Sequence, residues 1–297
     1  PKSRRAIHFL VSLRSAGHET YRILGEQRQE IGTIEPPNVF RETYPGAIYQ
    51  HGSNEYRVAY LDRQHKTVHV REEHVPHYTR ASGTSNLRVE SVYASQQLDL
   101  GGAPFIVSLG DVLVEETTRG YQELDLNTNK MVKRVNLNYP LTSYLHTTAM
   151  WVVIPSPLAE LLRPQSPSPT KGEGEKGASS LSEGLHAMQH LMMAVMPLLV
   201  MCDRRDVDGF HHARHPDLGA PAAFIYDAYE GGIGLAEIAY QRVAELLRLA
   251  YDTVSRCQCK AGCPSCIQSG ACRLRNKSLD KAAALTILSG LMGQGAV

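Results

Sequence analysis

The chain has 297 residues, of which 42% are hydrophobic and 21% charged, and its formal net charge is +1 at pH 7. These values predict a globular protein of one large or two medium domains, and they exclude an overall nucleic-acid-binding signature, so any such argument must be local. The apolar run from Leu191 to Met201 is shorter than the ~20 residues of a membrane span, and no secretory pattern is present. We therefore expect a cytoplasmic protein without a membrane partner.

The first part of the chain, residues 1–155, carries the patterns of β-strands. The predicted strands are residues 7–13, 55–61, 66–71, 111–115 and 131–135. Residues 55–61 and 66–71 alternate between apolar and polar side chains, and the short link from Asp62 to His65 makes them a hairpin. Turn signals such as Gly101-Gly102 separate the others. We predict a small twisted sheet or a partly open barrel.

A segment of different composition follows at residues 156–182. Residues 163–177 are rich in Pro, Ser, Gly, Lys and Glu and contain almost no apolar side chain. Such a segment cannot offset the entropy lost on ordering. The sequence therefore predicts a flexible insertion or linker here.

Helical patterns dominate residues 183–297. Ser182 is the predicted cap of a helix from Glu183 to about Met196, which Pro197 ends or kinks. A second helix follows Gly234 and runs to about Ser255, and a third runs from Leu279 to Leu291 with Ser278 as its cap. The predicted fold class is thus α+β: a β-rich domain at 1–155, a linker at 156–182 and a helical zinc-binding domain at 183–297.

Cysteine clustering is the strongest chemical signal in the chain. The cysteines are Cys202, Cys257, Cys259, Cys263, Cys266 and Cys272. The last five fall within sixteen residues, whereas a secreted disulfide framework spreads its cysteines through a smaller chain. Four thiolates in a tetrahedron suit zinc. Pro264 stiffens the Cys263–Cys266 turn, and Gly262 allows the tight backbone that brings Cys259 close.

We predict one structural zinc ion per chain. The predicted ligands are Cys259, Cys263, Cys266 and Cys272. Cys257 is left out because a one-residue spacing to Cys259 would strain the site if both bound, and it remains the alternative to Cys259. An iron–sulfur cluster and a redox Cys-x-x-Cys pair are the competing interpretations. No ligand position looks open for water, which disfavours catalytic zinc.

A basic strip surrounds the cysteines. Its cations are Arg256, Lys260, Arg273, Arg275, Lys277 and Lys281, and the one acid between Arg256 and Lys281 is Asp280. A rigid knuckle with such a strip suits contact with phosphates. A solvated surface is the equally weighted alternative.

Two further patterns could bind ligands, although each has a structural explanation that we favour. A Gly-rich turn, residues 227–234, begins with Asp227, follows a predicted strand at 223–226 and opens a helix, which could hold an anion. It lacks the Lys-Ser/Thr pair of a phosphate loop, so we interpret it as a tight turn. His186 and His190 lie four residues apart on one helix, and a packed, hydrogen-bonded pair is the preferred interpretation.

Two other features lack supporting patterns. The segment from Asp203 to Asp208 precedes His211, His212 and His215, and we interpret it as a salt-bridged turn. Trp151 could stack on a base, but a lone tryptophan is more often part of the core. The chain shows no Walker A motif, no acidic helicase box and no Ser/His/Asp ordering, so its enzymatic status is left open.

Several segments together resemble the C-terminal zinc-binding module, and the preceding region, of MrfA-like (YprA-like) superfamily 2 DNA helicases. The specific part is the cysteine segment with Asn276 and residues 279–281. Residues 202–207, 226–234, 44–51 and 146–151 are similar as well. Two departures are Glu230, where the family commonly has proline, and the low-complexity insertion. Both motor domains of the family are missing.

The resemblance implies nucleic-acid binding as part of an ATP-dependent helicase, with DNA held and routed in repair or phage defence. The expected partners are single-stranded or forked DNA and a helicase motor, in cis or as a subunit in trans. The alternative is a protein-interaction scaffold that docks a motor without contacting DNA. A third hypothesis, a metallohydrolase using His186, His190 and the Asp203–Asp208 segment, requires a second metal.

Overall fold

The computed structural model describes residues 20–162 and 181–294. This part of the chain contains eleven strands and six helices, so the protein is α+β, as the sequence predicted. The strand predicted at residues 7–13 and most of the predicted insertion lie outside the described residues. Within those ranges, no helix combines the length and the apolar character needed to cross a membrane.

Two compact units interleave along the chain. The first contains the residues up to Asn86 together with Val114–Leu145, and the second contains Leu87–Leu113 together with the residues from His146 onwards. The predicted domain boundaries at residues 155 and 183 follow changes in amino-acid composition and differ from the limits of these compact units. They stay a prediction.

The first unit contains β1 Tyr21–Leu24, β2 Glu30–Ile34, α1 Pro36–Glu42, β3 Ile48–His51, β4 Asn54–Asp62 and β5 Thr67–Glu72. Its five strands form one sheet in the order β2-β1-β5-β4-β3. The predicted hairpin is confirmed, because β4 and β5 pair antiparallel. Asp62 Oδ1 accepts hydrogen bonds from the N–H groups of Gln64 and His65 at 3.0 and 2.9 Å. This is how an aspartate favours a turn.

Three strands are long: β6 His77–Val89, β8 Phe105–Asp125 and β9 Met131–Val153. The sequence analysis did not predict β6, and it predicted only short parts of β8 and β9. The strands predicted at 111–115 and 131–135 are confirmed as parts of β8 and β9, which have 21 and 23 residues. The first ten residues of β9 are largely exposed. Val135, Leu137 and Tyr139 alternate with polar residues there, but Pro140 follows, and a proline argues against extending a strand from the sequence.

The second unit adds β7 Ala94–Leu98, β10 Val207–His212 and β11 Ala222–Asp227. Strand β11 confirms the prediction at 223–226, and it pairs antiparallel with both β10 and β9. All six of its residues are buried. A continuous apolar run is expected of such a central strand.

Five helices complete the second unit: α2 Ser156–Leu161, α3 Leu181–Leu199, α4 Leu235–Gln241, α5 Val243–Arg256 and α6 Lys281–Met292. Helix α3 is central, with thirteen buried residues, and it packs against α5, α6 and β10. Its burial on all sides explains why two of its histidines lie in the interior of the unit.

Three helix boundaries correct the predictions. Helix α3 already includes Leu181, so Ser182 lies inside it, and it continues two residues past Pro197. Ser278 is not the cap of α6. It has a positive φ of 55°, and the helix begins later, so that Asp280 caps it by accepting a hydrogen bond from the N–H of Ala283 at 2.9 Å.

The helix predicted from residue 235 to residue 255 is two helices, which meet at Arg242. The Arg242 guanidinium donates to the Leu199 carbonyl at 2.5 Å and to the Glu245 carboxylate at 2.6 Å. The Leu199 carbonyl, at the end of α3, thereby gains a partner that its own helix cannot supply.

Candidate metal centre

A tight knuckle follows helix α5. The chain leaves the helix at Cys257, whose backbone is extended, with φ −77° and ψ 120°. The Cys263–Cys266 turn closes through a hydrogen bond from the Cys266 N–H to the Cys263 carbonyl at 3.0 Å. Gly262 has a φ of 104°, and a Cβ there would lie 2.5 Å from the side chain of buried Ile267. Only glycine fits this position without strain, in agreement with the sequence analysis.

Four cysteines converge in this knuckle: Cys257, Cys259, Cys263 and Cys266. Their Sγ atoms are separated by 3.5 Å for the pairs 257–259, 257–263 and 259–266, and by 3.7 Å for the pair 263–266. A tetrahedron with zinc–sulfur bonds of about 2.3 Å has edges of about 3.8 Å. The four thiols therefore fit a tetrahedral zinc ion closely, and zinc is the metal that this donor set favours.

The structure corrects the predicted grouping of the cysteines. Cys259, Cys263 and Cys266 lie together as predicted, but the fourth member is Cys257, and Cys272 lies in another group. The expected strain between Cys257 and Cys259 does not arise, because the helix ends at Cys257 and the extended backbone lets both side chains turn inwards. The sequence held a signal for this choice. Cys257-x-Cys259 and Cys263-x2-Cys266 are two short pairs, and each can supply two ligands.

Lys281 contacts the same knuckle. Its ammonium group donates to the carbonyls of Cys257 and Cys259 at 2.5 and 2.7 Å and lies 3.5 Å from the Cys259 Sγ. Burial raises the pKa of Cys259, but hydrogen bonds from neighbouring thiols and from the Gly262 N–H outweigh it and lower that pKa to about 7. These surroundings favour the thiolate form of Cys259, which is the form that binds metal, whereas burial raises the pKa of Cys266 to about 12.

Cys272 belongs to a second, buried group with His186 and His190. Its Sγ lies 3.5 Å from His186 Nε2. The Nδ1 atom of His186 lies 2.9 Å from the Ser278 carbonyl, and that of His190 lies 2.7 Å from the Ile267 carbonyl. The two histidines are packed and hydrogen-bonded, as the preferred interpretation of the sequence required.

The six predicted cations have different surroundings. Lys260 and Lys277 are exposed on the loops. Arg256 is also exposed and forms an ion pair with Asp252 at 3.4 Å. Arg273 pairs with Asp208 at 2.7 Å, and Arg275 is half-buried with a positive φ of 57°. With Lys281 turned towards the knuckle, Arg256, Lys260 and Lys277 are the cations best placed to meet a ligand from solvent.

The Gly-rich turn is filled by the protein itself. The carboxylate of Asp227, at the end of β11, accepts four backbone hydrogen bonds, from the N–H groups of residues 233–236 at 2.5–3.2 Å. Gly231, Gly232 and Gly234 have positive φ values, which lets the chain wrap around this carboxylate. The N-terminus of α4 therefore has its anion within the chain, and the interpretation as a tight turn is confirmed. The sequence analysis placed Asp227 in this turn but gave its carboxylate no role.

The other two features are structural as well. Trp151 is 1% exposed and stacks on Phe224 with a ring-centroid distance of 5.5 Å, so it belongs to the core. In the Asp203–Asp208 segment, Asp206 accepts hydrogen bonds from the Asp203 N–H and the Tyr229 hydroxyl, both at 2.7 Å. Within the described ranges, the candidate metal-binding groups contain none of these aspartates.

Comparison with known proteins places this geometry in a family. The model of the MrfA zinc-binding domain matches residues 188–267, which include the four-cysteine knuckle. An uncharacterised protein of Methanocaldococcus jannaschii is 38% identical over 111 residues, or 36% of this chain and 99% of that protein. The ATP-dependent helicase YprA of Bacillus subtilis is 28% identical over 261 residues, or 86% of this chain and 32% of the helicase.

A solved structure extends the likeness to the fold. The crystal structure of the DUF1998 helicase MrfA bound to DNA superposes with a TM-score of 0.61 and 26% sequence identity. The match covers 98% of this chain and 36% of that one. This chain therefore spans about a third of the length of the helicases that it matches.

Proposed function

The chain belongs to the family of proteins that carry the MrfA zinc-binding domain, and from this premise we propose that it is the nucleic-acid-binding C-terminal module of an ATP-dependent superfamily 2 DNA helicase. It holds and routes single-stranded or forked DNA for a motor that is supplied in cis or by a separate subunit. The cellular setting is DNA repair or phage defence, in the cytoplasm.

One observation carries this proposal. Nearly the whole chain, 98% of it, aligns with part of a helicase whose crystal structure was determined with bound DNA. The match includes the β-rich first unit as well as the zinc-binding region. This favours a module that works as a whole within a helicase over a cysteine knuckle with an unrelated neighbour.

Zinc has a structural role in the proposal. The ion is held by Cys257, Cys259, Cys263 and Cys266, and four thiolates leave no position for water or substrate. The knuckle fixes the end of α5 against the loop before α6, and Lys281 balances part of the negative charge of the four thiolates. The resident ion supplies rigidity, and the chain's own residues make the contacts with DNA.

The DNA-binding residues are cations on this rigid support. We assign the phosphate contacts first to Arg256, Lys260 and Lys277, which are exposed. Arg273 and Arg275 lie on the same loop and add to its positive potential, although Arg273 also pairs with Asp208. Contacts of this kind follow the backbone of DNA and carry no sequence information.

The experiment is a titration of single-stranded DNA against the purified chain over a series of salt concentrations. Phosphate contacts make the logarithm of the affinity fall linearly with the logarithm of salt, by about 0.7 per neutralised phosphate on a single strand. The triple variant R256A/K260A/K277A should bind more weakly and lose about 2 from that slope. The double variant K133A/R134A, which removes exposed cations of β9, is the matched control.

The scaffold alternative makes a different prediction. If the chain docks a motor without touching DNA, the zinc-loaded protein will show no salt-dependent DNA binding, and the triple variant will equal the wild type. If K133A/R134A lowers the salt slope of DNA binding more than the triple variant does, the DNA site lies on β9 and not at the knuckle.

A further inference from the structure

We propose that His186, His190 and Cys272 form a second metal site, which binds one divalent transition-metal ion of the zinc class. The ion joins helix α3 to the loop that carries Arg273, Arg275 and Lys277. This site is separate from the four-cysteine knuckle, and it does not depend on whether the chain binds DNA.

The first argument is the direction of the histidine rings. In both rings Nδ1 faces a backbone carbonyl, at 2.9 Å for His186 and 2.7 Å for His190. A carbonyl can only accept, so Nδ1 carries the proton and Nε2 keeps its lone pair. An imidazole whose N–H is held by a carbonyl is the usual arrangement of a metal-binding histidine.

The second argument is the convergence of three donors. One ligand atom of His186, one of His190 and the Cys272 Sγ lie within 4.8 Å of one another, and the His186 Nε2 to Cys272 Sγ distance is 3.5 Å. Bonds of about 2.0–2.1 Å to nitrogen and 2.3 Å to sulfur place tetrahedral ligands about 3.4–3.6 Å apart. The measured nitrogen–sulfur distance thus matches one edge of a tetrahedral site.

The third argument is burial. His186, His190 and Cys272 are 3%, 5% and 6% exposed. Two imidazoles and one thiolate form a donor set that zinc accepts. Among the described residues, no fourth cysteine, histidine or carboxylate joins the group, so water is the expected fourth ligand.

The consequence is a mechanical link across the second unit. His186 and His190 lie on α3, whereas Cys272 lies 86 residues after His186 in the loop between the knuckle and α6. Asn276 already closes this loop through hydrogen bonds with the backbone of Ser269 at 2.8 and 3.0 Å. A metal bond from Cys272 to α3 would hold the cation-bearing loop in one position.

Metal content of the full chain tests the proposal. The protein is loaded with Zn²⁺, separated from excess ion by gel filtration and analysed for zinc per chain. We expect two zinc ions in the wild type, one in Cys272→Ser and one in His190→Gln. Cys202→Ser, which changes a half-buried cysteine outside both groups, is the matched control and should keep two. One zinc in the wild type, or two in Cys272→Ser, would overturn the proposal.

Cobalt spectroscopy identifies which site is lost. Charge-transfer absorption from sulfur to Co²⁺ grows with the number of thiolates, which is four in the knuckle and one in the second site. Cys272→Ser and His190→Gln should keep the four-thiolate spectrum, which also shows that the variants are folded, and should lose the weaker component. If Cys272→Ser proves unfolded, His190→Gln decides: an unchanged two-ion spectrum would contradict the second site.

Discussion

Two loops of the second unit each bring four groups together but differ in the partner that completes them. The Gly-rich turn gathers four N–H groups from residues 233–236, and the Asp227 carboxylate satisfies all of them. The cysteine knuckle gathers four thiols at tetrahedral distances, and zinc is the partner that such a set requires. A loop whose converging groups already have internal partners is structural, whereas one whose groups all need the same partner is a binding site.

The largest expected effect comes from breaking the knuckle. Cys263→Ser should lose the knuckle zinc and unfold the segment from Cys257 to the start of α6, because structural zinc in small motifs contributes about 10–16 kcal/mol to folding. Zinc analysis and proteolysis of this segment provide the measurement. Cys202→Ser makes the same chemical change outside the knuckle and should retain zinc and resistance to proteolysis. If Cys263→Ser keeps its zinc, the knuckle is not the zinc site.

The next effect sharpens the contrast with the Gly-rich turn. Asp227→Ala leaves four N–H groups at the start of α4 without their partner, and each buried unsatisfied group costs about 1–3 kcal/mol. We expect a loss of at least about 3 kcal/mol in the free energy of unfolding, with zinc still bound. Glu230→Ala removes an exposed carboxylate of the same turn, which accepts one hydrogen bond at 3.3 Å, and serves as the control in urea unfolding. Equal losses for the two variants would contradict the assigned role of Asp227.

A smaller effect concerns the cap of α6. Asp280→Ala should cost about 1 kcal/mol, the usual contribution of an N-cap side chain. Ser278, whose φ is positive, should tolerate glycine with no loss, because glycine adopts that conformation without strain. Thermal unfolding of Asp280→Ala and Ser278→Gly compares the two positions. A larger loss for Ser278→Gly would restore the cap that the sequence analysis placed there.

The smallest expected effect is a change in the pH dependence of stability. Burial lowers the pKa of His215, so the folded chain keeps this ring neutral. The contribution of the neutral ring to the free energy of unfolding is complete above about pH 6.5, the pKa of a histidine in the unfolded chain. It is lost as the pH falls below that value, because the unfolded chain binds the proton more readily than the folded chain does. His215→Gln should therefore flatten the fall in the unfolding free energy between pH 7 and pH 5. Urea unfolding of the wild type and of His215→Gln between pH 5 and pH 7 measures this fall, and an equal fall in the two chains would contradict the prediction.

Local patterns predicted much of this structure. The β4–β5 hairpin, strand β11 and the α+β class follow from periodicity and turn residues. Helix ends were less accurate, since Ser278 and Asp280 are both acceptable caps and only the start of α6 distinguishes them. The full lengths of β8 and β9 were not predicted, because the polar run at residues 115–119 of β8 and Pro140 in β9 look like the end of a strand in the sequence.

The metal site was predicted in kind but not in every member. The clustering of five cysteines indicated zinc, and Cys259, Cys263 and Cys266 belong both to the predicted ligand set and to the knuckle. The choice between Cys257 and Cys272 depends on where helix α5 ends and on His186, which is far away in sequence. The two short cysteine pairs favour Cys257, but spacing alone shows neither the end of α5 nor the position of His186. The resemblance to the helicase module was similarly informative about the family and silent about the individual ligands.

The most direct test of the account is zinc K-edge X-ray absorption on the Cys272→Ser chain. We predict one zinc ion surrounded by four sulfur atoms at about 2.3 Å, supplied by Cys257, Cys259, Cys263 and Cys266. The prediction would be contradicted if zinc in Cys272→Ser had three sulfur ligands and one lighter ligand, while zinc in Cys257→Ser had four sulfur ligands. That result would return Cys272 to the knuckle and remove the basis for the second site.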